Sequence, residues 1–134
     1  MFSSKSPEWE TPQDLFDALN KIHRFTLDPA STDDNAKCDK HFTEKENGLL
    51  QNWGGYSVFC NPPYGRNIGK WVEKGFKEAK KPGTKVVMLL PSRTDTAWFH
   101  DYCLKGRVEF LRGRLKFGDS IHPAPFPSMI VIFD

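Results

Sequence analysis

The stretch Tyr56-Ser57-Val58-Phe59-Cys60 runs directly into Asn61-Pro62-Pro63-Tyr64. A short apolar run predicts a buried strand, and two consecutive prolines predict that the strand ends in a stiff loop. Because neither proline has an N–H group, the loop presents hydrogen-bond acceptors. The side-chain oxygen of Asn61 and the carbonyl of Pro62 can accept the two hydrogens of a planar amino group. Tyr64 offers a flat face on which such a group's ring can stack.

The segments around this stretch alternate between helical and extended patterns. Apolar residues at helical spacing predict helices after Thr11-Pro12, over Ile68–Ala79 and after the cap Thr94-Asp95. Thr11 is expected at the N-cap of the first helix, with Pro12 at its first helical position. Besides residues 58–60, strands are predicted over Phe25–Leu27, Val86–Leu90, Val108–Leu111 and Met129–Phe133.

This order predicts a single α/β domain over residues 1–134, with an open, mostly parallel sheet and helices on both faces. Asp28-Pro29 and Asn61-Pro62 each follow a strand, so both are expected at one rim of the sheet, where open α/β sheets bind ligands. The polar span Ala30–Asn52 predicts a long ordered loop or short helical turns, and Met1–Pro7 predicts a loose arm.

Composition and charge narrow the class of protein. The longest apolar run, Val86–Leu90, is too short to span a bilayer, so no membrane partner is expected. Three cysteines form an odd set, which favours reduced thiols in a cytoplasm. The net charge is only +2, but most of the 19 Lys and Arg residues lie between Arg66 and Lys116. A basic segment directly after the Asn-Pro-Pro-Tyr tetrad favours a polyanionic partner.

The chain resembles the phage-type DNA N6-adenine methyltransferases, which use S-adenosylmethionine and carry an Asn-Pro-Pro-Tyr motif. The resemblance extends in order over essentially the whole chain. It implies a reduced Rossmann-like methyltransferase fold, in which the second and third strand–helix units are missing or replaced by a loop. It also implies a cytoplasmic protein in a bacterial host cell, encoded by a phage or prophage. The segments that carry it are Trp9–Pro12, Leu27–Ala30, Phe59–Gly65, Val87–Pro91, Gly113–Phe117 and Ala124–Ser128.

The resemblance also implies roles for individual residues. Thr11 and the turn after it match the motif that holds the methionine end of S-adenosylmethionine. Asp28 matches an acid that suits the cationic α-amino group, and its alternative role is to cap the strand end by accepting loop N–H groups. No glycine-rich loop follows, so Asp34 or Asn35 is the candidate for the ribose. The cofactor-binding positions are Trp9, Thr11, Pro12, Asp28, Pro29, Ala30, Asp34 and Asn35, and the catalytic ones are Asn61, Pro62, Pro63 and Tyr64.

The reaction implied by the resemblance is methyl transfer to N6 of adenine in DNA, without a metal. A duplex hides that atom, so the base is expected to be flipped or unpaired. Tyr64 is expected to stack on the base, and Phe117, or else Phe126, to cover its other face. Arginine matches the geometry of a phosphate group. The candidates for DNA phosphate contacts are Arg66, Arg93, Arg112 and Arg114.

Several alternatives remain open from the sequence. The same acceptors suit a glutamine amide in a protein or an adenine in RNA. A zinc-stabilised nucleic-acid-binding module would use the pairs Cys38/His41 and His100/Cys103. A third alternative is a degenerate methyltransferase that binds DNA without catalysis. Since no segment is long enough for a separate target-recognition domain, sequence choice is expected from short loops or from the second subunit of a homodimer.

Overall fold

A computed structural model describes residues 9–134 of the chain, so the predicted arm over Met1–Pro7 lies outside the described residues. In chain order, helix α1 spans Gln13–His23, strand β1 Ser57–Cys60, helix α2 Ile68–Glu78, strand β2 Lys85–Pro91, helix α3 Ala97–Asp101, strand β3 Arg107–Phe110 and strand β4 Ser128–Phe133. Short 3₁₀ helices cover Gly48–Leu50 and Cys103–Lys105. None of the described helices is long and apolar enough to cross a membrane.

The four strands form one sheet in the order β1-β2-β4-β3. β1 pairs in parallel with β2, whereas β4 pairs antiparallel with both β2 and β3. The prediction of an α/β domain is confirmed, but the sheet is mixed rather than mostly parallel. The reason is that β4, the last strand in sequence, lies between β2 and β3 and runs against them, although β1, β2 and β3 share one direction.

The helices cover both faces of the sheet, as predicted. Alternate residues of a strand point to opposite faces. On one face Val86, Met88 and Leu90 of β2 pack with α2 and α3, and Trp71 of α2 lies in this core. On the other face the intervening residues of β2 pack with Phe16 of α1. The fully apolar sequence of β2 therefore reflects burial on both sides.

The segment predicted as a first strand forms only two isolated bridges. Leu27 bridges to Val58 of β1, and Asp28 bridges to His41 in the following loop. The prediction of a strand over Phe25–Leu27 is therefore wrong in extent. The physical reason is that the Phe25 N–H donates to Asn20 Oδ1, and the N–H groups of Thr26 and Leu27 share the Ser57 carbonyl, so no regular ladder forms before Leu27.

The polar span of residues 30–52 is ordered by contacts at its far end. Trp53 is fully buried; its indole N–H donates to the Gly48 carbonyl at 2.9 Å, and its backbone N–H donates to Glu78 Oε1 at 2.7 Å. Gly48 in turn lies against the Pro29 carbonyl and the Trp71 ring. The span contains turns and one 3₁₀ helix, as predicted, and its end is fastened to α2.

Two predicted helix caps are placed differently. α1 begins at Gln13 with Pro12 at the N-cap, and Thr11 makes no capping bond because its hydroxyl accepts from Asn61. α3 is capped by Thr96, whose Oγ1 accepts from the Phe99 N–H at 3.2 Å. The expected cap at Thr94-Asp95 is therefore wrong by one to two residues.

Replacing Gly48 by alanine tests the packing of the long loop. A Cβ at this position would overlap the Pro29 carbonyl oxygen and lie 3.0 Å from the Trp71 ring. We expect Gly48→Ala to lower the free energy of unfolding by about 1–3 kcal/mol, measured by chemical denaturation. Leu50→Ala, in the same 3₁₀ helix but 79% exposed, should change it by less than about 0.5 kcal/mol. Equal effects of the two variants would contradict this packing.

Candidate active site

The side chain of Asn61 directly follows β1 and has a fixed orientation. Its Nδ2 donates to the Trp9 carbonyl and, at 3.0 Å, to Thr11 Oγ1. Because a carbonyl oxygen can only accept, the amide nitrogen must face Trp9, and Oδ1 must point away from it. The tetrad is thereby joined to the segment before α1, and Asn61 presents an acceptor whose direction does not depend on a ligand.

Asn61 Oδ1 is buried and accepts no hydrogen bond within the described part of the chain. The buried hydroxyls of Ser31, Ser92 and Ser128 are also without a partner among these residues. Asn61 and Ser92 follow the ends of β1 and β2, and Ser128 is the register partner of Pro91 at that same end of β2. An unpaired buried polar atom costs about 1–3 kcal/mol. Asn61, Ser92 and Ser128 thus place unpaired buried polar atoms at one rim of the sheet.

Tyr64 is held by its hydroxyl group. The phenol donates to the Leu89 carbonyl of β2 at 3.2 Å. Burial raises the pKa of Tyr64 well above its usual range, so the phenol stays protonated and keeps this hydrogen bond. The tetrad prolines differ in exposure, since Pro62 is buried and Pro63 is exposed. Tyr64 therefore has a defined position above the end of β2.

An aromatic cluster, consisting of Trp9, Tyr64, Phe117 and Phe126, adjoins the tetrad. The Tyr64 ring meets Phe126 and Phe117 edge-on, with centroids 5.6 Å and 6.4 Å apart. Trp9 contacts the same two phenylalanines at 5.1 Å and 5.5 Å. Phe117 is only 5% exposed, whereas Phe126 is half-buried. A cleft of about 330 Å³ opens beside Trp9 and Phe117, although Asn61 does not line it.

Asp28 lies at the same rim, one bridge away from β1. Its carboxylate accepts from the Ala30 N–H at 3.3 Å and from the Lys37 N–H at 2.9 Å. Burial raises the pKa of Asp28, and these two backbone hydrogen bonds oppose the rise. The carboxylate thus has the capping role given above as the alternative to cofactor binding. Each oxygen keeps acceptor capacity, so the two roles are compatible.

The ribose candidates lie in the turn after Asp28. Asn35 is half-buried, and its Oδ1 accepts from the Thr32 N–H at 2.7 Å. Asp34 is exposed. Pro12 is the N-cap residue of α1, and Pro29 and Ala30 directly follow Asp28. Among the candidates, Asn35 has the more fixed side chain and Asp34 the freer one.

Both ring nitrogens of His41 contact oxygen atoms of the loop next to Asp28. Nε2 lies 2.8 Å from Asp33 Oδ1, and Nδ1 lies 2.9 Å from the Asp39 carbonyl oxygen. Both partners are acceptors, so both contacts are hydrogen bonds only when the imidazole carries two protons. Consistent with this, the hydrogen bond to Asp33 raises the pKa of His41. His41 also bridges to Asp28 through its backbone, so its charge affects the candidate cofactor side.

The four arginines proposed for phosphate contacts all have exposed side chains. Arg66 follows the tetrad, and Arg93 follows the end of β2 close enough to Tyr64 to lower its pKa, against the larger effect of burial. Arg112 and Arg114 follow β3. Within residues 9–134 none of the four forms an ion pair. Their charges are therefore available along this rim.

The zinc alternative requires four side chains that the described residues do not bring together. Cys38 packs against the core on the α1 face, whereas Cys103 is buried in the core on the α2 face. His41 is engaged by Asp33 and Asp39. Residues 9–134 contain no group of three or more His, Cys, Asp or Glu side chains placed to hold a metal ion.

Comparison with known proteins agrees with this geometry. The family described as DNA N-6-adenine-methyltransferase (Dam) matches residues 2–133. The chain belongs to this family.

Two relatives illustrate how much of a Dam-family protein the chain represents. A protein of Escherichia phage T1 named DNA N-6-adenine-methyltransferase is 32% identical over 93 residues, which are 68% of this chain and 38% of the phage protein. The protein YfdM of Escherichia coli (strain K12) is 34% identical over 64 residues, which are 42% of this chain and 70% of that protein. The chain thus spans well under half of the phage T1 relative.

Sequence reasoning did not single out three buried serine hydroxyls that have no partner among the described residues. The hydroxyls of Ser31, Ser92 and Ser128 carry no signal in the sequence, because serine in loops and strand ends is common and only burial without a partner distinguishes them. The sequence favours Phe117 over Phe126 as the second aromatic ring, but the centroid of the Phe126 ring lies closer to that of Tyr64. The Ala-Pro-Phe-Pro-Ser pattern around it was the available signal.

The charge state of His41 gives a testable prediction. We expect its pKa, measured by NMR titration, to lie above the ordinary value of about 6.5 and to fall in Asp33→Ala. Asp34→Ala removes an adjacent acid without this hydrogen bond and should lower the pKa less. Because the folded-state pKa is raised, the stabilisation by His41 is fully present below about pH 6.5 and is lost as pH rises through the folded-state pKa. Equal shifts in the two variants would contradict the pairing.

Proposed function

We propose that this chain transfers a methyl group from S-adenosylmethionine to N6 of adenine in DNA. Membership of the Dam family supports DNA adenine as the substrate. The observation that carries the chemistry is the buried acceptor Asn61 Oδ1, which has a fixed direction and no partner among the described residues. An exocyclic amino group is the kind of donor that such an acceptor would bind.

The tetrad residues act by positioning and by accepting hydrogens. Asn61 Oδ1 and the Pro62 carbonyl each accept one hydrogen of the N6 amino group, which favours a pyramidal nitrogen with a usable lone pair. S-adenosylmethionine supplies the methyl group as second substrate, the N–C bond forming as the C–S bond breaks and leaves its electron pair on sulfur. The nitrogen then releases one proton, which passes by way of these neutral acceptors to water.

The residues on the Asp28 side fit the second substrate. The Asp28 carboxylate suits the α-amino group, and the unpaired Ser31 hydroxyl lies three residues further along the chain. Thr11 and Pro12, with Trp9, approach the tetrad from the α1 side. Pro29 and Ala30 continue the wall, and Asp34 or Asn35 binds the ribose. In a reduced Rossmann-like fold the ordered span of residues 30–52 would replace the missing strand–helix units.

The target base requires access that a closed duplex does not give. In this proposal the adenine is flipped or unpaired, and it stacks on Tyr64, with Phe117 or Phe126 on its other side. Arg66, Arg93, Arg112 and Arg114 hold the phosphates, which is supported by their exposure and by the absence of ion pairs within residues 9–134. The protein acts in the cytoplasm of a bacterial host and is encoded by a phage or prophage; a homodimer would provide additional contacts for sequence choice.

Removing the Asn61 amide tests the proposed chemistry. We expect Asn61→Ala to reduce incorporation of tritiated methyl groups into DNA by about 10²-fold, because one preorganised group at the reacting atom is lost. Asn52→Ala is the matched control. Its amide also joins two parts of the chain, the Gly54 N–H and the Lys81 ammonium group, but it precedes β1 at the opposite rim. Thermal unfolding of both variants separates loss of activity from loss of fold.

The outcome also separates the candidate substrates. Wild-type activity in Asn61→Ala would contradict the proposed site. Methylation of RNA or of a glutamine-containing protein, with none of DNA, would support the alternative substrates instead. If the wild-type protein binds DNA and methylates none of these substrates, the degenerate methyltransferase is correct.

Two substitutions of Tyr64 distinguish its ring from its hydroxyl group. Tyr64→Phe keeps the stacking surface and loses only the bond to the Leu89 carbonyl, so we expect most of the methylation rate to remain. Tyr64→Ala removes the ring and should raise the apparent KM for DNA by about tenfold, since one stacked base is worth about 1–3 kcal/mol. Initial rates over a range of DNA concentrations measure both effects. A larger loss in the phenylalanine variant than in the alanine variant would contradict the stacking role.

A further inference from the structure

Basic side chains follow the open edge of the sheet from one rim to the other. β3 pairs only with β4 within the described chain, so its other side is an edge. Lys105 and Arg107 lie at the start of β3, and Arg112 and Arg114 follow its end; all four are exposed. Lys105, Arg112 and Arg114, together with Lys80, are called the basic edge below.

One end of the basic edge borders a cleft that concentrates positive charge. The cleft has a volume of about 240 Å³ and lies beside Phe76, and its charged lining consists of three cations and one acid: Lys80, Lys105, Arg107 and Asp134. The ammonium groups of Lys80 and Lys105 lie 4.4 Å and 5.4 Å from the centroid of the Phe76 ring. Within residues 9–134 neither has a carboxylate partner, whereas Arg107 pairs with Asp134 at 3.0 Å. A phosphate group would offset the repulsion between two cations gathered at one ring.

An aromatic ring lies exposed in the middle of this line of charge. Phe110 is the last residue of β3 and is 60% exposed. Its register partner Met129 belongs to the core on the α2 face, so Phe110 stands on the same face as the Phe76 cleft. Glu109 and Arg107 point to the opposite face, because their register partners Ile130 and Ile132 belong to the core on the α1 face. Proteins bind unpaired nucleic acid with two features. Cations lie along the phosphate backbone, and an aromatic ring stacks on a base.

Charged residues on an edge strand also have a simpler role. They discourage the edge from pairing with another strand. That role accounts for Arg107 and Glu109, but a phenyl ring exposed at position 110 would weaken such protection. The exposed ring instead offers an apolar, stackable surface at this edge.

We propose that the basic edge and Phe110 bind a single strand of DNA, with one base stacked on Phe110 and the backbone phosphates held by the cations on either side. This inference rests on the proposed function, because the ligand is the DNA strand that carries or flanks the target adenine. Unpaired DNA is the expected substrate class, since a duplex keeps its bases inside the stack and out of reach of the ring. The chain continues from Arg114 to Phe117, so the basic edge leads to the aromatic cluster beside the tetrad.

Binding to labelled oligonucleotides tests this inference on the whole chain. Phe110→Ala should weaken binding of a single strand, measured by fluorescence anisotropy, by about tenfold and leave binding of a hairpin duplex of the same sequence within about twofold. Ile22→Ala removes an apolar side chain of α1 that is 72% exposed, more than Phe110, and should change neither. The double variant Lys80→Ala/Lys105→Ala should reduce the slope of log affinity against log salt for the single strand by about 1.4.

The possible outcomes separate this inference from the proposed function. Wild-type binding of the single strand by Phe110→Ala, or an equal loss on single strand and duplex, overturns the inference. Asn61→Ala should bind the single strand as the wild type does while losing methylation. If the wild type methylates DNA and Phe110→Ala binds the single strand as the wild type does, the inference about the basic edge is wrong and the proposed function stands. If the wild type neither binds nor methylates DNA, the proposed function fails as well.

Discussion

The hydrogen bonds of one amide connect the parts of the candidate site. Asn61 Nδ2 binds the Trp9 carbonyl and the Thr11 hydroxyl, and so joins the end of β1 to the segment that leads into α1. The same bonds turn Oδ1 toward the rim and bring the Trp9 ring against Phe117 and Phe126. Two consecutive prolines after Asn61 limit how the loop can relax. The direction of the acceptor and the shape of the aromatic cluster thus depend on a single contact of the chain with itself.

Much of the fold could be predicted because local patterns decide it. The apolar run of β2 and the helical spacing in α2 each predict their element, and the predicted bounds agree with the structure to within a few residues. The mixed sheet could not be predicted, because the direction of β4 depends on where a distant strand inserts. Thr11 illustrates the same limit at the site. The local sequence predicts that it caps a helix, but its hydroxyl accepts a hydrogen bond from Asn61, fifty positions away.

The long polar span shows how a segment of low hydrophobicity stays ordered. Its ends are close together, because Asp28 pairs with the backbone at residues 40–42 and Gly48 packs on Pro29. Trp53 fills the space below and is fixed by Glu78, whose carboxylate also pairs with Lys81. Few apolar side chains are then needed within the span itself. Its remaining polar groups are free to face the rim where Asp28 and Ser31 lie.

The central position of β4 has a consequence for how the chain folds. β2 and β3 do not pair with each other, so β3 has no partner strand, and β2 has only β1, until residues 128–133 are present. A nascent chain that has not yet emerged beyond residue 127 exposes an unpaired apolar edge on β2. The pairing between β2 and β4 also joins residues far apart in sequence, such as Val86 and Phe133. Contacts of this kind slow folding, because distant residues must meet before the pairing forms, so completion of the sheet waits for the synthesis of β4.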